Sequence, residues 1–235
     1  MLNYYIGMAE KQEIFTLMGG QVRIHRGKYN PTSDAVWLAA MAGDIHAKTV
    51  LDVGIGTGGD ALCMLAHNSN ATITGIDTSE QMLTECARNA ELNNHTIELI
   101  SADITSWRTA RTFDMVISNP PYFKGTPAKH NAHHNVDLNL WTRKCIARVK
   151  PRGYFCTIID AASLSTVISA MTQACGDIYI MPLFGRAHTA ERVLVRGRVG
   201  VRGGTTLHCG LSMNCDAVLR DGLTIDAALS RLNLL

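Results

Sequence analysis

Residues 113–123 read Phe-Asp-Met-Val-Ile-Ser-Asn-Pro-Pro-Tyr-Phe, an apolar strand that runs straight into an Asn-Pro-Pro-aromatic corner. Each proline fixes its own φ near about −65°, and the residue before a proline is pushed away from helix. The Asn119 side chain and the Pro120 carbonyl are therefore presented rigidly, and both oxygens can accept hydrogen bonds from one planar NH₂ group. Tyr122, or Phe123 beside it, offers a flat face on which a base carrying that amine would stack, a contact of about 1–3 kcal/mol. Asn-Pro also opens ordinary strand-ending turns, so the amine clamp needs support from elsewhere in the chain.

That support lies upstream. Residues 49–53, Thr-Val-Leu-Asp-Val, read as a short buried strand emptying into Gly54-Ile55-Gly56-Thr57-Gly58-Gly59 ahead of a helical pattern. Gly54, Gly56 and Gly59 satisfy G-x-G-x-x-G, which leaves a dinucleotide reading to be weighed. Asp52 counts against it, because a carboxylate just before the glycines attracts a ligand ammonium and repels a pyrophosphate. Asp77 ends the next strand, where it can accept both ribose hydroxyls of an adenosine, and Asp103 follows the strand after that, where it can take the exocyclic amine of adenine. Glycines, strand-end acids and an Asn-Pro-Pro-Tyr corner, in that order, suit S-adenosylmethionine better than NAD. The expected cofactor contacts are Thr32, Asp34, Asp52, Gly54, Gly56, Gly58, Asp77, Asp103 and Asn119. For Asp34, at the start of the first helix, a lid over the methionine end of the cofactor and a plain helix-start acid stand about even.

This order of motifs resembles the class I, Rossmann-like methyltransferases, and Asn119-Pro120-Pro121-Tyr122 resembles their amino-group methylating branch. Three further stretches are similar to the bacterial tRNA1(Val) adenine-37 N6-methyltransferase family: Met18-Gly19-Gly20-Gln21-Val22-Arg23-Ile24, the run Thr32-Ser33-Asp34-Ala35-Val36-Trp37-Leu38-Ala39-Ala40, and Arg192-Val193-Leu194-Val195-Arg196-Gly197-Arg198. The similarity runs from about residue 15 to about residue 222, and 223–235 matches nothing in that pattern. The resemblance implies an α/β, Rossmann-like fold with a mostly parallel seven-stranded sheet and helices on both faces, S-adenosylmethionine as cofactor, and an RNA substrate, tRNA first. It also implies Asn119, Pro120 and Tyr122 as the catalytic set.

The elements needed to position these residues can be read along the chain. Helical patterns occupy 32–43, 60–67, 79–92, 136–149 and 163–175; strands occupy 49–53, 71–76, 96–100, 113–118, 154–160, 178–183 and 192–201, with 151–153 a turn. Alternating strand and helix favour a parallel sheet. At 235 residues and 46% hydrophobic content the chain can bury one full core, with an N-terminal extension over 1–45 and a C-terminal tail over 203–235. The longest early apolar run, 35–42, is far short of the roughly 20 residues that span a bilayer, and no leader pattern precedes it. Seven cysteines without a C-x-x-C pair agree with a cytoplasmic location. No metal is expected: Cys209, Cys215 and His208 match no common zinc spacing, and His130, His133 and His134 lack carboxylate or thiol partners.

Net charge is only +2, but the bases are grouped. Lys124, Lys129, Arg143, Lys144, Arg148, Lys150 and Arg152 face a single acid, Asp137; Arg186, Arg192, Arg196, Arg198 and Arg202 form a second group, and Arg23, Arg26 and Lys28 a third. Such stripes are the footprint of a nucleic-acid ligand, although at least half of 143–152 reads as a solvated helix face. The loop leaving the corner is the stronger candidate, so Pro121, Phe123, Lys124, Lys129 and His130 are the expected substrate contacts. No obligate protein partner is expected. Two rival functions share parts of this pattern: a protein-glutamine methyltransferase of the release-factor type, and a non-catalytic adaptor binding S-adenosylmethionine or RNA. A DNA adenine methyltransferase would need a target-recognition domain for which this length leaves no room.

Overall fold

The computed structural model describes residues 13–120, 137–186 and 189–234. Strands β1 (Ile14–Leu17) and β2 (Val22–His25) pair antiparallel as a separate hairpin, joined by a 3₁₀ turn over Met18–Gly20. Helix α1 (Ser33–Gly43) follows, its N-terminus capped by Thr32 Oγ1, which accepts from Asp34 N at 3.3 Å. Then come β3 (Thr49–Val53), α2 (Gly59–His67), β4 (Thr72–Asp77), α3 (Glu80–Leu92), β5 (Glu98–Ser101), β6 (Phe113–Ser118) and α4 (Leu138–Ile146). The chain continues through β7 (Val149–Asp160), α5 (Leu164–Met171), β8 (Cys175–Phe184), β9 (Ala190–Val199), β10 (Thr205–Leu207), β11 (Leu211–Ser212), α6 (Asp216–Leu219) and α7 (Ile225–Arg231).

The main sheet has nine strands in the order β10-β8-β9-β7-β6-β3-β4-β5, with β11 also on the β8 edge. Only β9 runs against its neighbours β7 and β8. The expected seven strands are all present, and two short pieces of the C-terminal tail extend the β8 edge beyond them. Successive strand residues alternate between two apolar layers, as the pleat requires. Val50, Met115 and Ile117 face α1 and α2, whereas Leu51, Val53 and Val116 face Cys145 and Ile146 of α4 and Val167 and Met171 of α5.

Three expected boundaries move. The 151–153 turn lies inside β7 as a bulge: Arg152 has φ +68°, and the β6–β7 register jumps between Phe113↔Val149 and Met115↔Tyr154. The helix expected over 163–175 stops at Met171, because Cys175 and Gly176 are already paired with β9. The helix expected over 136–149 covers only Leu138–Ile146, with Val149 recruited into the sheet.

Helix α1 is buried from Asp34 through Gly43, without a polar face. A helix that is apolar all round needs cover on every side, and the C-terminal tail supplies it. Val218, Ile225, Ala228 and Leu229 join the same core cluster as α1. Trp37 Nε1 donates to Met213 O at 3.4 Å, and Asp226 N donates to Asp44 Oδ2 at 3.2 Å.

Candidate active site

Strand order reverses between β3 and β6, and ligands in open α/β sheets bind beyond the strand ends at that point. A cleft of about 500 Å³, open to solvent, lies there. It is lined by the glycine turn (Gly54, Ile55, Gly56, Thr57 and Gly59), by Asn119, Asp60 and Met82, and by Tyr29 to Thr32 with Ala35.

The glycine turn is held by β4: Gly54 N and Ile55 N both donate to Ile76 O, at 2.9 and 3.0 Å. Gly54, Gly56 and Gly58 have φ of +77°, +54° and +89°, which L side chains rarely adopt. Two of these glycines, Gly56 and Gly58, serve different ends. A Cβ on Gly56 would meet nothing closer than Gly54 O at 3.9 Å, so it would project into open space above the turn. A Cβ on Gly58 would lie 2.7 Å from Cys86 Sγ. Gly58 is therefore needed for packing against α3 and is not among the residues that line the cleft.

Asp77 is aimed by two backbone amides. Its Oδ2 accepts from Gly56 N at 3.0 Å and its Oδ1 from Ser79 N at 2.9 Å, which fixes the carboxylate beside the turn with further lone pairs available. Asp103 stands just beyond β5, exposed, with Oδ1 accepting from Thr105 N and Oγ1 at 2.8 Å each. The intervening Ala102 N donates to Asp77 O at 3.0 Å, which keeps Asp103 beside Asp77.

Asp52 is completely buried beneath the glycine turn, and neither carboxylate oxygen has a well-formed hydrogen bond among the described residues. Burial first, then the neighbouring Asp60 and Asp77, pushes its pKa well above the usual carboxylate range, and the Ala61 amide relieves it only weakly. A cation brought close would favour its charged form.

Asp34, for which a lid and a helix-start acid stood even, sits in the first turn of α1 in an ion pair. It does not line the cleft; its Oδ2 accepts from Arg192 Nε of β9 at 3.0 Å. A carboxylate in the first turn of a fully buried helix needs a charged partner, and Arg192 is that partner. Thr32, by contrast, does line the cleft as well as capping α1.

Asn119 and Pro120 follow directly on Ser118, which is locked in place. Ser118 Oγ donates to Val53 O at 3.0 Å and accepts from Trp141 Nε1 at 3.0 Å, while Ser118 O accepts from Thr157 Oγ1 at 2.8 Å. The Asn119 side chain hydrogen-bonds to the Asp60 carboxylate. Of the remaining expected residues, Pro121, Tyr122, Phe123, Lys124, Lys129 and His130 lie outside the described residues.

Sequence reasoning missed Asp60, Trp141, Ser118 and Tyr29. Asp60 carries the only available signal, an acid in the first turn of a helix, and that is also the commonest place for an acid without a function. Several expected nucleic-acid bases are committed to their own chain. Lys150 pairs with Asp114 at 2.8 Å, Arg198 Nε donates to Arg152 O at 3.0 Å with its guanidinium over Tyr154, and Arg196 lies over Tyr179. Among the described residues no three His, Cys, Asp or Glu side chains gather as metal ligands, and no helix is long and apolar enough to cross a membrane.

Comparison with known proteins gives this geometry a family. Residues 31–160 match the model of the methyltransferase small domain. A tRNA1(Val) (adenine(37)-N6)-methyltransferase of Glaesserella parasuis is 31% identical over 106 residues, covering 44% of this chain and 45% of that protein. A protein of the same name from Shewanella halifaxensis is 29% identical over 184 residues, covering 71% and 73%. The chain thus spans about half the length of the first of these relatives. Among solved structures, one described as a predicted O-methyltransferase from Agrobacterium tumefaciens superposes with a TM-score of 0.65 at 26% identity, covering 77% of this chain and 88% of that one. With its family model, strand order and glycine turn in agreement, the chain belongs to the methyltransferase small domain family and has the Rossmann-like fold of the class I, S-adenosylmethionine-dependent methyltransferases.

Proposed function

We propose that this protein transfers a methyl group from S-adenosylmethionine to the exocyclic N6 amine of an adenine in RNA, with an anticodon-loop adenine of tRNA as the substrate. The observation that carries the proposal is the cleft at the strand reversal, lined by Asn119, Asp60 and the glycine turn, with Asp77 held against that turn by Gly56 N. The chain's resemblance to tRNA1(Val) adenine-N6 methyltransferases supports the choice of RNA.

The residues fit the cofactor. Asp77, held by Gly56 and Ser79, has acceptor capacity for a vicinal diol, and the open space at Gly56 leaves room for a ligand against bare backbone. Burial biases Asp52 towards its neutral form, and a ligand ammonium beside the turn would favour its charged form. When bound, S-adenosylmethionine supplies an electrophilic methyl on a positively charged sulfur.

The chain itself contributes placement. An adenine amine is a poor nucleophile because its lone pair is delocalised into the ring, so it must become tetrahedral as it attacks. Acceptance of its two N–H bonds by Asn119 Oδ1 and Pro120 O favours that change and stabilises the positive charge that develops on nitrogen. Holding the amine in line supplies the remaining acceleration. No strong base is needed, since the product ammonium loses its proton readily to water. An anticodon-loop base suits the site because it can leave its stack at small cost.

The test is methyl transfer from labelled S-adenosylmethionine to tRNA, ribosomal RNA, duplex DNA and protein extract in separate reactions, with the labelled product digested and identified. N6-methyladenosine from tRNA is the expected product. Methylglutamine from the protein extract would transfer the case to the release-factor reading, and tight cofactor binding without any transfer would leave an adaptor.

A further inference from the structure

We propose that Asp60 is the positioning residue for the amine clamp: it accepts the Asn119 side-chain N–H and thereby leaves the Asn119 amide oxygen turned toward the amine to be methylated. This rests on the amine-methylation reading above and adds a residue to it.

A carboxamide has two ends of nearly equal shape, and only its hydrogen-bond partners decide which end faces which way. At the end of β6 this choice is critical. With the oxygen outward, Asn119 accepts from an incoming NH₂; with the nitrogen outward, donor meets donor and the clamp fails. An ionised carboxylate accepts and cannot donate, so it pairs only with the nitrogen end. Asp60 meets that requirement: it lies in the first turn of α2, is 7% exposed, lines the cleft together with Asn119 and is hydrogen-bonded to it. Its other oxygen, Oδ1, is buried without a partner among the described residues. A buried carboxylate with one empty oxygen costs stability, and neither the cap of α2 nor any described ion pair explains its presence.

The surroundings of Asp60 make its charge conditional. Asp34 of α1 and Asp52 of β3 bear on it as like charges, Cys63 of its own helix lies near, and Arg192 of β9 pairs with Asp34. Burial and Asp34 push the Asp60 pKa up to about 7 against the lowering effect of the Asn119 bond. Once protonated, Asp60 becomes a donor able to bond the Asn119 oxygen, which reverses the amide. Turnover should accordingly fall as pH drops through about 7.

The experiment compares wild type with Asp60→Asn, which keeps the shape and removes the obligatory acceptor. Three quantities are read: kcat on tRNA across pH 5.5–9, the dissociation constant for S-adenosylmethionine by calorimetry, and the Asn119 side-chain NH₂ signal in a ¹⁵N–¹H spectrum, assigned by its loss in Asn119→Ala. The proposal expects a roughly 10- to 100-fold lower kcat in Asp60→Asn, a cofactor dissociation constant within about threefold, and loss of the acid limb. In wild type the Asn119 signal should titrate with that limb. A kcat in Asp60→Asn within twofold of wild type would overturn the proposal. So would an unchanged kcat at saturating cofactor with more than tenfold weaker cofactor binding, which would make Asp60 a cofactor ligand instead. If wild type methylates no amine, the methylation reading fails on that result alone. The Asn119 signal still decides the orientation claim, because it is read without substrate, and an Asn119 signal unmoved by pH or by Asp60→Asn would refute it.

Discussion

Trp141 Nε1 donates to Ser118 Oγ at 3.0 Å, and through that hydroxyl a helix on the far face of the sheet fixes the residue next to Asn119. Ser118 Oγ in turn donates to Val53 O at 3.0 Å, so β3, β6 and α4 meet at one atom, directly under the glycine turn. Trp141→Phe keeps the ring bulk and removes the donor. It should lower kcat by about tenfold while shifting Tm only slightly, because the freed Ser118 oxygen retains its bond to Val53. Steady-state kinetics beside a thermal melt would check this; a kcat equal to wild type would show that the corner holds itself.

The glycine turn separates ligand space from packing space. Gly56→Ala should leave a folded protein with strain of order 1 kcal/mol from its positive φ, yet bind S-adenosylmethionine at least tenfold more weakly. Gly58→Ala should instead lose stability heavily, since its Cβ would stand 2.7 Å from Cys86 Sγ. Cofactor titration and denaturant unfolding of the two variants would tell the roles apart.

Asp52 predicts opposite effects on stability and binding. Asp52→Asn removes a buried carboxyl lacking well-formed hydrogen bonds, so the ligand-free protein should melt at a higher temperature at neutral pH. The same change should weaken S-adenosylmethionine binding roughly tenfold or more through loss of a charged partner for the ligand ammonium. A rise in Tm without loss of affinity would remove Asp52 from the cofactor site.

The pH dependence of stability follows from the same acids. Asp60, ordinarily ionised above about pH 4, has a folded pKa of about 7. Between these values the folded state holds a proton that the unfolded chain has lost, so stability falls as pH rises through that window. Asp114 is held down at about 2 despite partial burial, by hydrogen bonds from Lys150 and Thr49, and its stabilisation is lost only as pH falls below about 4. The ligand-free protein should therefore be most stable near pH 4–5 and lose stability towards pH 8. Asp60→Asn should flatten the upper limb, by at least about 3 °C in Tm at pH 8. Melts across pH 3–9 without cofactor would show either the limb or its absence.

Asp114 also ties three strands at the end of the sheet away from the cleft. Its Oδ2 accepts from Thr49 N and Oγ1 at 2.9 Å each, and its Oδ1 from Lys150 Nζ at 2.8 Å. Asp114→Ala should cost roughly 1–2 kcal/mol with little change in cofactor affinity. Urea titration paired with a binding isotherm would measure both.

The strand ends were legible because they depend on local rules: positive-φ glycines, and acids placed where apolar strands stop. Strand β3, helix α1 and strand β6 begin and end where the residues themselves indicate. What could not be read depended on contacts distant in the sequence. Asp34 looked equally suited to ligand or cap until Arg192, 158 residues away, was brought beside it. The β7 bulge could not be told from a turn, because Pro151-Arg152-Gly153 satisfies both and only pairing with β6 decides. Asp60 carried no distinctive pattern, since its meaning lies in a neighbour on a different strand. Tail residues such as Val218 and Leu229 matched no motif because their job is shape, filling the outer side of α1.

That tail ties the cleft to the order in which the chain is made. Tyr29 to Thr32 wall the cleft and lead into α1, and α1 has its outer cover only when residues 211–231 arrive. The residues that back this wall therefore come after β3 to β9 in the chain, so a truncation before residue 211 would keep those strands and strip the cover from α1.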